Sequence, residues 1–309
     1  MDFDAIIIGG GAAGLSASVW CEELGLSSLL LESGDEFGGQ LLYVYNEIKN
    51  HLGIEAKDGR EMRDVFVTQA QKSRFNYRLN SEVLTIDPEK KTISLKSGET
   101  FSAQAFIIAT GVRRRKLNVA GEEIFKGKGI LESGTRDKKT VEGKKVLIVG
   151  GGDAAFENAL ILSETASEVT LVHRGKNFRA RAEFIERVGN HPKVEILTET
   201  IVREIIGTDE LEVVKFENLK TGENFYLPVD AMLIRIGVEP NTDFLHGKIE
   251  LDEKGYIKVN NLCETSVEGI FAVGDVACPL APTVSSAVGM GATAAKTVSS
   301  RLKAVGSQI

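Results

Sequence analysis

Two glycine-rich turns carry most of the chemical information in this chain. Residues 9–14 read Gly-Gly-Gly-Ala-Ala-Gly and residues 150–155 read Gly-Gly-Gly-Asp-Ala-Ala. Both fit the pattern G-x-G-x-x-G/A. In such a turn the first glycine (Gly9, Gly150) makes a tight bend. The second (Gly11, Gly152) lets backbone approach a diphosphate, and the third small residue (Gly14, Ala155) lets helix pack closely on strand. The free N–H groups of the helix that follows, at Ala12 and Ala13 in one turn and at Asp153 and Ala154 in the other, donate to phosphate oxyanions. Glu32 stands 23 residues after Gly9, where an acid accepts hydrogen bonds from ribose hydroxyls. Arg174 stands 24 residues after Gly150, preceded by His173 and followed by Arg179. Arginine at that place accommodates a 2′-phosphate, and Arg179 closes a clamp on it. Opposite charge at equivalent positions points to FAD in the first unit and NADPH in the second, with NADH the weaker fit. A chain that binds two dinucleotides most simply moves a hydride between them.

The elements that must position these residues are legible around them. Apolar runs at Asp4–Ile8 and Lys145–Val149 read as buried parallel strands entering each turn. Helices are predicted from Ala13 to Leu24, stopped by Gly25, and from Ala154 to Glu164. Second strands at Ser28–Leu31 and Glu168–Val172 end in Glu32 and in His173-Arg174. Two further apolar strands end in Thr110-Gly111 and Gly274-Asp275, and a small-residue helix is expected from Val284 to Leu302. The fold class is therefore α/β, with two Rossmann-like nucleotide-binding domains.

Length and composition agree with this. The 309 residues suit two domains. The net charge of −7, from 37 basic and 44 acidic side chains, argues against nucleic-acid binding. No apolar run approaches the ~18–20 residues of a membrane-spanning helix. The start, Met1-Asp2-Phe3-Asp4, has no basic leader, so no secretory signal is expected. Cys21, Cys263 and Cys278 are too scattered for a disulfide framework or a metal-type pair, which fits a reducing, cytoplasmic setting.

Several further stretches complete a pattern: Gly38-Gly39-Gln40-Leu41, Ala109-Thr110-Gly111, residues 173–180 (HRGKNFRA), residues 236–242 (IGVEPNT) and residues 269–276 (GIFAVGDV). With the two glycine turns, this set resembles the low-molecular-weight thioredoxin reductase family over essentially the whole chain. The resemblance implies a three-layer ββα architecture and a homodimer. It also implies a discontinuous FAD domain, 1–112 plus 243–309, with an NAD(P)H domain inserted at 113–242. Gly39, Gln40, Tyr45, Asn50, Val83, Thr110, Gly111, Gly274, Asp275, Thr283 and Val284 would join the first turn around FAD. Ile236 and Gly237 would join the second around NADPH, and the helix from Val284 would aim its N-terminus at the flavin N1–C2=O edge.

Two departures from that family matter. Its Cys-x-x-Cys falls on Ser133-Gly134-Thr135-Arg136, so both sulfurs are missing. Serine and arginine cannot accept two electrons by disulfide chemistry. Tyr43 and Tyr45 also replace small polar residues. Ferredoxin/flavodoxin–NADP reductases of the same fold, which likewise lack the dithiol, carry a tyrosine matching Tyr45 that stacks on the isoalloxazine. Those enzymes usually carry a C-terminal extension with an aromatic over the other flavin face, and no counterpart of it is expected in this sequence. Arg113-Arg114-Arg115-Lys116 is a basic run that would steer an acidic carrier, contact NADPH, or simply be a solvated linker. The expected activity is electron transfer from NADPH through FAD to an external acceptor, ferredoxin or flavodoxin first. The alternatives are a disulfide reductase using Cys278 or an external thiol, a diaphorase or NADPH oxidase, and a flavin-binding sensor that does not turn over. Gly175, where the family has a second arginine after the histidine, weakens the preference for NADPH over NADH.

Overall fold

A computed structural model describes residues 1–306. The chain divides into two compact units, one of Met1–Arg113 together with the chain from Glu239 onward, the other of Arg114–Val238. The first unit begins with β1 (Phe3–Ile8), α1 (Ala12–Glu23) and β2 (Ser28–Leu31). It continues with α2 (Gly59–Ala70), β3 (Asn76–Arg78), β4 (Val83–Asp87), β5 (Thr92–Leu95) and β6 (Thr100–Ile108). The chain then leaves through β7 (Val112–Arg114).

The second unit opens with β8 (Ile130–Leu131) and the single turn α3 (Gly134–Asp137). β9 (Lys145–Gly150), α4 (Asp153–Ser163), β10 (Glu168–Val172), α5 (Ala182–Gly189) and β11 (Val194–Leu197) follow. An antiparallel sheet, β12 (Thr200–Gly207), β13 (Leu211–Asn218) and β14 (Asn224–Pro228), covers one side, and β15 (Ala231–Arg235) returns to the parallel sheet. The return path is β16 (Val238–Pro240), after which the first unit is completed by β17 (Ile270–Ala272) and α6 (Val284–Gly306). Helix α6 thus runs past the expected end at Leu302.

In the first unit β3, β2, β1, β6 and β17 form a parallel sheet, with β1 registered on β2 from Ala5↔Ser28 and on β6 from Phe3↔Ala103. The first half of β6 instead pairs antiparallel with β5. The long strand therefore belongs to two sheet layers, the ββα arrangement. The second unit repeats the plan with a parallel sheet in the order β11-β10-β9-β15-β8. Strands in such sheets are covered on both faces, which explains their unbroken apolar runs. Ile6, Ile7, Leu30, Ile107, Leu147 and Ile148 are fully buried, each contributing roughly 1.5–3 kcal/mol of apolar transfer.

Helix α1 uses small side chains to approach α6. A Cβ on Gly291 would lie 2.3 Å from the Ala13 carbonyl oxygen, and Ser16 Oγ donates to the Val288 carbonyl at 2.7 Å. Residues 239–242 belong to the first unit by their contacts. Thr110 Oγ1 donates to the Asn241 carbonyl at 2.8 Å, and Asn241 Nδ2 donates to the Thr110 carbonyl at 2.7 Å. The return crossing therefore lies before Glu239, not at 242–243. Among the described residues no helix is long and apolar enough to cross a membrane.

Candidate functional site

The first glycine turn is built as its sequence requires. Gly9 has φ +107°, and a Cβ there would sit 2.4 Å from the Ala109 carbonyl oxygen. A Cβ on Gly14 would lie 1.9 Å from the Gly9 carbonyl oxygen, so only glycine lets α1 start this close to β1. Gly11 is different: its φ is −77°, and nothing lies closer than 3.8 Å to a Cβ built on it. Neither backbone strain nor packing demands glycine there. The open space lies over the first turn of α1, which no side chain caps. That is the place a diphosphate fills.

Glu32 closes this turn from the second strand. Its Oε2 accepts from the Gly10 N–H at 2.7 Å, and Oε1 accepts from Gly34 N–H at 2.7 Å and Ser33 Oγ at 3.1 Å. A carboxylate has about four acceptor sites, so Glu32 braces the turn and keeps capacity for a ribose hydroxyl. Gly274 meets the other side of the turn, where a Cβ would lie 2.9 Å from Ala13 Cβ. Beside it Asp275 is half-buried and has no hydrogen-bond or ionic partner among the described residues; burial raises its pKa. An acceptor without a donor at this place suits the hydroxyls of a bound cofactor.

The remaining first-unit candidates are less concentrated. Gln40 Nε2 donates to the Val112 carbonyl at 2.7 Å, tying the Gly39–Tyr43 turn to the exit strand. Tyr45 is half-buried just beyond that turn. Asn50 is exposed in the following loop, and half-buried Val83 opens β4. Thr283 leads into α6, where its hydroxyl accepts from the Ser286 N–H at 3.2 Å and its own N–H donates to Ser286 Oγ at 3.3 Å. Val284 packs against the cluster of Leu41, Ile48, Ala56 and Met62.

The second turn keeps the backbone and changes the chemistry. A Cβ on Gly150 would meet the Arg235 carbonyl oxygen at 2.3 Å, whereas nothing lies within 4 Å of one on Gly152. As at Gly11, glycine at 152 leaves room for a ligand at an uncapped helix N-terminus. His173 is a wedge rather than a ligand group. Its ring sits 2.3 Å from where a Gly151 Cβ would be, its Nε2 lies 3.1 Å from the Asn177 carbonyl, and Phe178 packs at 5.3 Å. Burial, with help from Arg174 and Arg179 and against that carbonyl contact, holds its pKa below the usual histidine value. Arg174 and Arg179 are exposed, and neither guanidinium has a carboxylate or hydrogen-bond partner among the described residues. Asp153 is already engaged: Arg181 donates to it from its backbone N–H at 2.7 Å and from Nε at 2.9 Å. It braces the 174–181 loop. Ile236 and Gly237 follow β15, Ile236 half-buried against the core that contains Leu147 and Val149 and Gly237 exposed.

The Ser133–Arg136 stretch is a closed turn. Ser133 is buried and its Oγ accepts from the Arg136 N–H, while Asp137 accepts from the Glu132 and Ser133 N–H groups at 2.8 and 3.1 Å. Asn158, which sequence reasoning missed, ties it to α4 by accepting from the Gly134 N–H at 2.9 Å and donating to the Ala154 carbonyl at 2.6 Å. The three cysteines are free thiols outside that turn. Burial pushes Cys21 up to about 12 and Cys263 up to about 11. Cys263 has φ +62°, and its N–H donates to the Asn260 carbonyl at 3.0 Å. Half-buried Cys278 donates to the Ala281 carbonyl at 3.7 Å.

The basic run at 113–116 is not an open patch. Arg113 pairs with Glu239 at 2.8 Å and Asp243 at 2.7 Å, and Lys116 pairs with Glu123 at 2.7 Å. Arg115 Nε donates to the Val238 carbonyl at 3.0 Å and Arg114 to that of Glu132. Charges spent this way steer a carrier weakly.

Two ββα units, each with a glycine turn at the carboxyl end of a central strand, define a class: oxidoreductases that hold two dinucleotides. The chain belongs to the pyridine nucleotide-disulphide oxidoreductase family, whose sequence profile matches residues 3–294. It is 34% identical over 294 residues to the thioredoxin reductase of Mycolicibacterium smegmatis, covering 94% of each chain. It is 32% identical over 294 residues, again 94% of each chain, to a 34.2 kDa protein in the rubredoxin operon of Clostridium pasteurianum. The crystal structure of Lactococcus lactis thioredoxin reductase matches with a TM-score of 0.80 at 31% identity, over 96% of this chain and 97% of that one. That of T. acidophilum thioredoxin reductase matches at 0.79 and 30%, over 97% and 99%. The protein is thus an oxidoreductase of the thioredoxin reductase family, which uses FAD and NADPH. The open cradles at Gly11 and Gly152, the unpartnered Asp275 and the unpartnered Arg174 and Arg179 fit those two molecules.

Proposed function

We propose that the protein oxidises NADPH and passes the electrons through FAD to an acceptor outside its own chain, ferredoxin or flavodoxin first. The observation that carries this is the Ser133–Arg136 turn. Where a dithiol would stand there is a hydrogen-bonded serine cap with no sulfur, and the three cysteines are elsewhere. FAD, when bound, accepts a hydride and can release electrons one at a time. In this reading Gly9, Gly11, Ala12, Ala13, Gly14 and Glu32 hold its adenosine diphosphate half, Asp275 takes a hydroxyl, and Tyr45 shields one ring face from water. Gly150–Ala155 hold the NADPH diphosphate, and Arg174 and Arg179 its 2′-phosphate. No side chain serves as nucleophile; the protein positions, and tunes by its dipoles. The rubredoxin-operon relative supports a one-electron iron carrier as the class of acceptor. A homodimer is the assembly we propose.

A second reading is favoured by the relatives named thioredoxin reductase: reduction of a disulfide carried by a partner, directly from the flavin. One experiment separates the two. The purified protein is titrated anaerobically with NADPH and, in parallel, NADH while the oxidised-flavin absorbance is followed. Thioredoxin, ferredoxin or flavodoxin is then added. Rapid bleaching by NADPH and reoxidation by ferredoxin or flavodoxin is the expected result. Reoxidation by oxidised thioredoxin alone overturns it, and bleaching by dithionite but by neither nucleotide removes NADPH as donor.

A further inference from the structure

We propose that Arg63 of α2 is the latch of a strap, residues 36–39, that lies over the first glycine turn and sets how fast FAD enters and leaves. The Gly38 N–H donates to the Gly10 carbonyl at 3.0 Å. The Phe37 ring covers Gly10, where a Cβ would lie 2.5 Å from its Cδ1, and Tyr77 meets that ring edge-on at 5.1 Å. Gly39 then passes over Gly11, its Cα 3.8 Å from a Cβ built there. The strap is thus one wall of the open space over the first turn of α1. Its path needs glycine, since Gly38 has φ +140° and Gly39 φ +52°.

Arg63 reaches the strap from 26 residues beyond Phe37. Its Nε donates to the Phe37 carbonyl at 2.8 Å, and Nη2 lies 3.1 Å from Glu36 Oε2. Its Nη1 pairs with Asp64 at 2.7 Å. The planar fork engages a carbonyl and a carboxylate of the strap together. Arg60, one turn earlier on α2, approaches the other Glu36 oxygen at 3.4 Å. The Arg63 stem packs against Gly38, its Cγ 2.9 Å from where a Cβ would be. The Arg63 side chain is 19% exposed against 58% for Arg60, so its bonds to the strap are the less screened. Helix α2 is a firm base for the latch. Met62 is fully buried with Leu41, Ile48 and Ala56, and a Cβ on Gly59 would lie 2.1 Å from the Leu41 carbonyl oxygen. Every one of these contacts is made by the chain itself. Lifting the strap breaks them whether FAD is entering or leaving, so the latch slows both steps.

The latch rests on the placement of FAD at the first turn given above, and not on the acceptor. Its test follows FAD rather than turnover. Release is timed by mixing the FAD-loaded full chain with an excess of a second apoflavoprotein that captures free FAD. Capture is timed by adding FAD to the same chain stripped of flavin and following flavin fluorescence. Arg63→Met keeps an unbranched stem beside Gly38 and removes the fork. Both rates are expected to rise about tenfold or more in this variant, the weight of one charge-assisted bond. A smaller rise of both is expected in Glu36→Gln, with affinity changed less than either rate. A rise in release alone, in capture alone or in neither overturns the latch. Should Arg63→Met not fold, Glu36→Gln decides by the same two rates. Gly11→Leu fills the space beneath the strap and is expected to purify without FAD. Retention of FAD by Gly11→Leu overturns the placement of FAD and the latch with it. Loss of FAD there, beside unchanged rates in Arg63→Met, overturns the latch alone.

Discussion

The turns at 9–14 and 150–155 share a backbone plan and differ in how their charged partners are spent. In the first, Glu32 has three donors from its own chain and locks the loop that carries it. In the second, Arg174 and Arg179 have no partner among the described residues, and the bracing falls to His173 over Gly151 and to the Asp153–Arg181 pair. The acid of the first turn is already braced before a ligand arrives, whereas the arginines of the second are left without partners among the described residues. A tightly held cofactor suits the former and an exchanging one the latter, because unpaired surface cations pay little desolvation in the free state and gain charge-assisted bonds on binding. The third small residue differs in the same sense. Gly14 leaves no room for a methyl group, whereas the second turn accommodates Ala155.

The largest effect should come from erasing that last difference. Gly14→Ala places a methyl 1.9 Å from the Gly9 carbonyl oxygen, backbone that cannot yield without moving β1 against α1. We expect a loss of about 3 kcal/mol or more and purification without FAD, read by denaturant unfolding and absorbance. Retention of both stability and flavin would show that the two turns are alike after all.

Neutralising the second turn should act on ligand rather than fold. Arg174→Gln with Arg179→Gln is expected to weaken NADPH binding on the order of a hundredfold while leaving NADH binding and the thermal midpoint within error. An equal loss for both nucleotides would mean that the arginines do not read the 2′-phosphate.

The smallest effect is one of pH. His173 titrates below the ordinary histidine value because of burial and the two nearby arginines. Below about pH 6.5 the unfolded chain then binds a proton that the folded chain resists, so stability is lost as pH falls through that range. The wild type should lose more stability between pH 7.5 and 5.5 than His173→Gln does. Saturating NADP⁺ should reduce the difference, since a bound phosphate offsets the arginine charge. A larger pH effect in the variant would reverse the assignment.

Much of this was legible in the chain itself. The βαβ rhythm, the glycine turns and the residues at the second-strand ends are local signals, set by spacing, propensity and hydrophobic pattern within about 25 residues. The strand Glu168–Val172 emerges with those bounds, and α1 and α4 begin one residue earlier than predicted. The basic run was legible as charge but not as an ion-paired segment. Its acidic partner Glu239 lies 126 residues away in sequence. Asn158 and Arg235 carried no sequence signal, since an asparagine inside a helix and an arginine ending a strand are common surface residues.

By itself the sequence determined the two βαβ units with their glycine turns, the opposite charges at the ends of their second strands, Glu32 and Arg174, and the absence of any Cys-x-x-Cys, because these depend on residue type at fixed short spacing. Only the tertiary structure decided which of those charges are already satisfied. It set Glu32 to bracing its own turn with capacity left for one more donor, consumed Asp153 and Arg113, left Asp275, Arg174 and Arg179 without partners among the described residues, and brought Arg114 and Arg235 onto one carbonyl oxygen from positions 121 residues apart. The reason is physical: whether a charge is free is set by what packs within a few ångströms of it, and in a doubly wound fold those neighbours come from strands and loops far away in the chain.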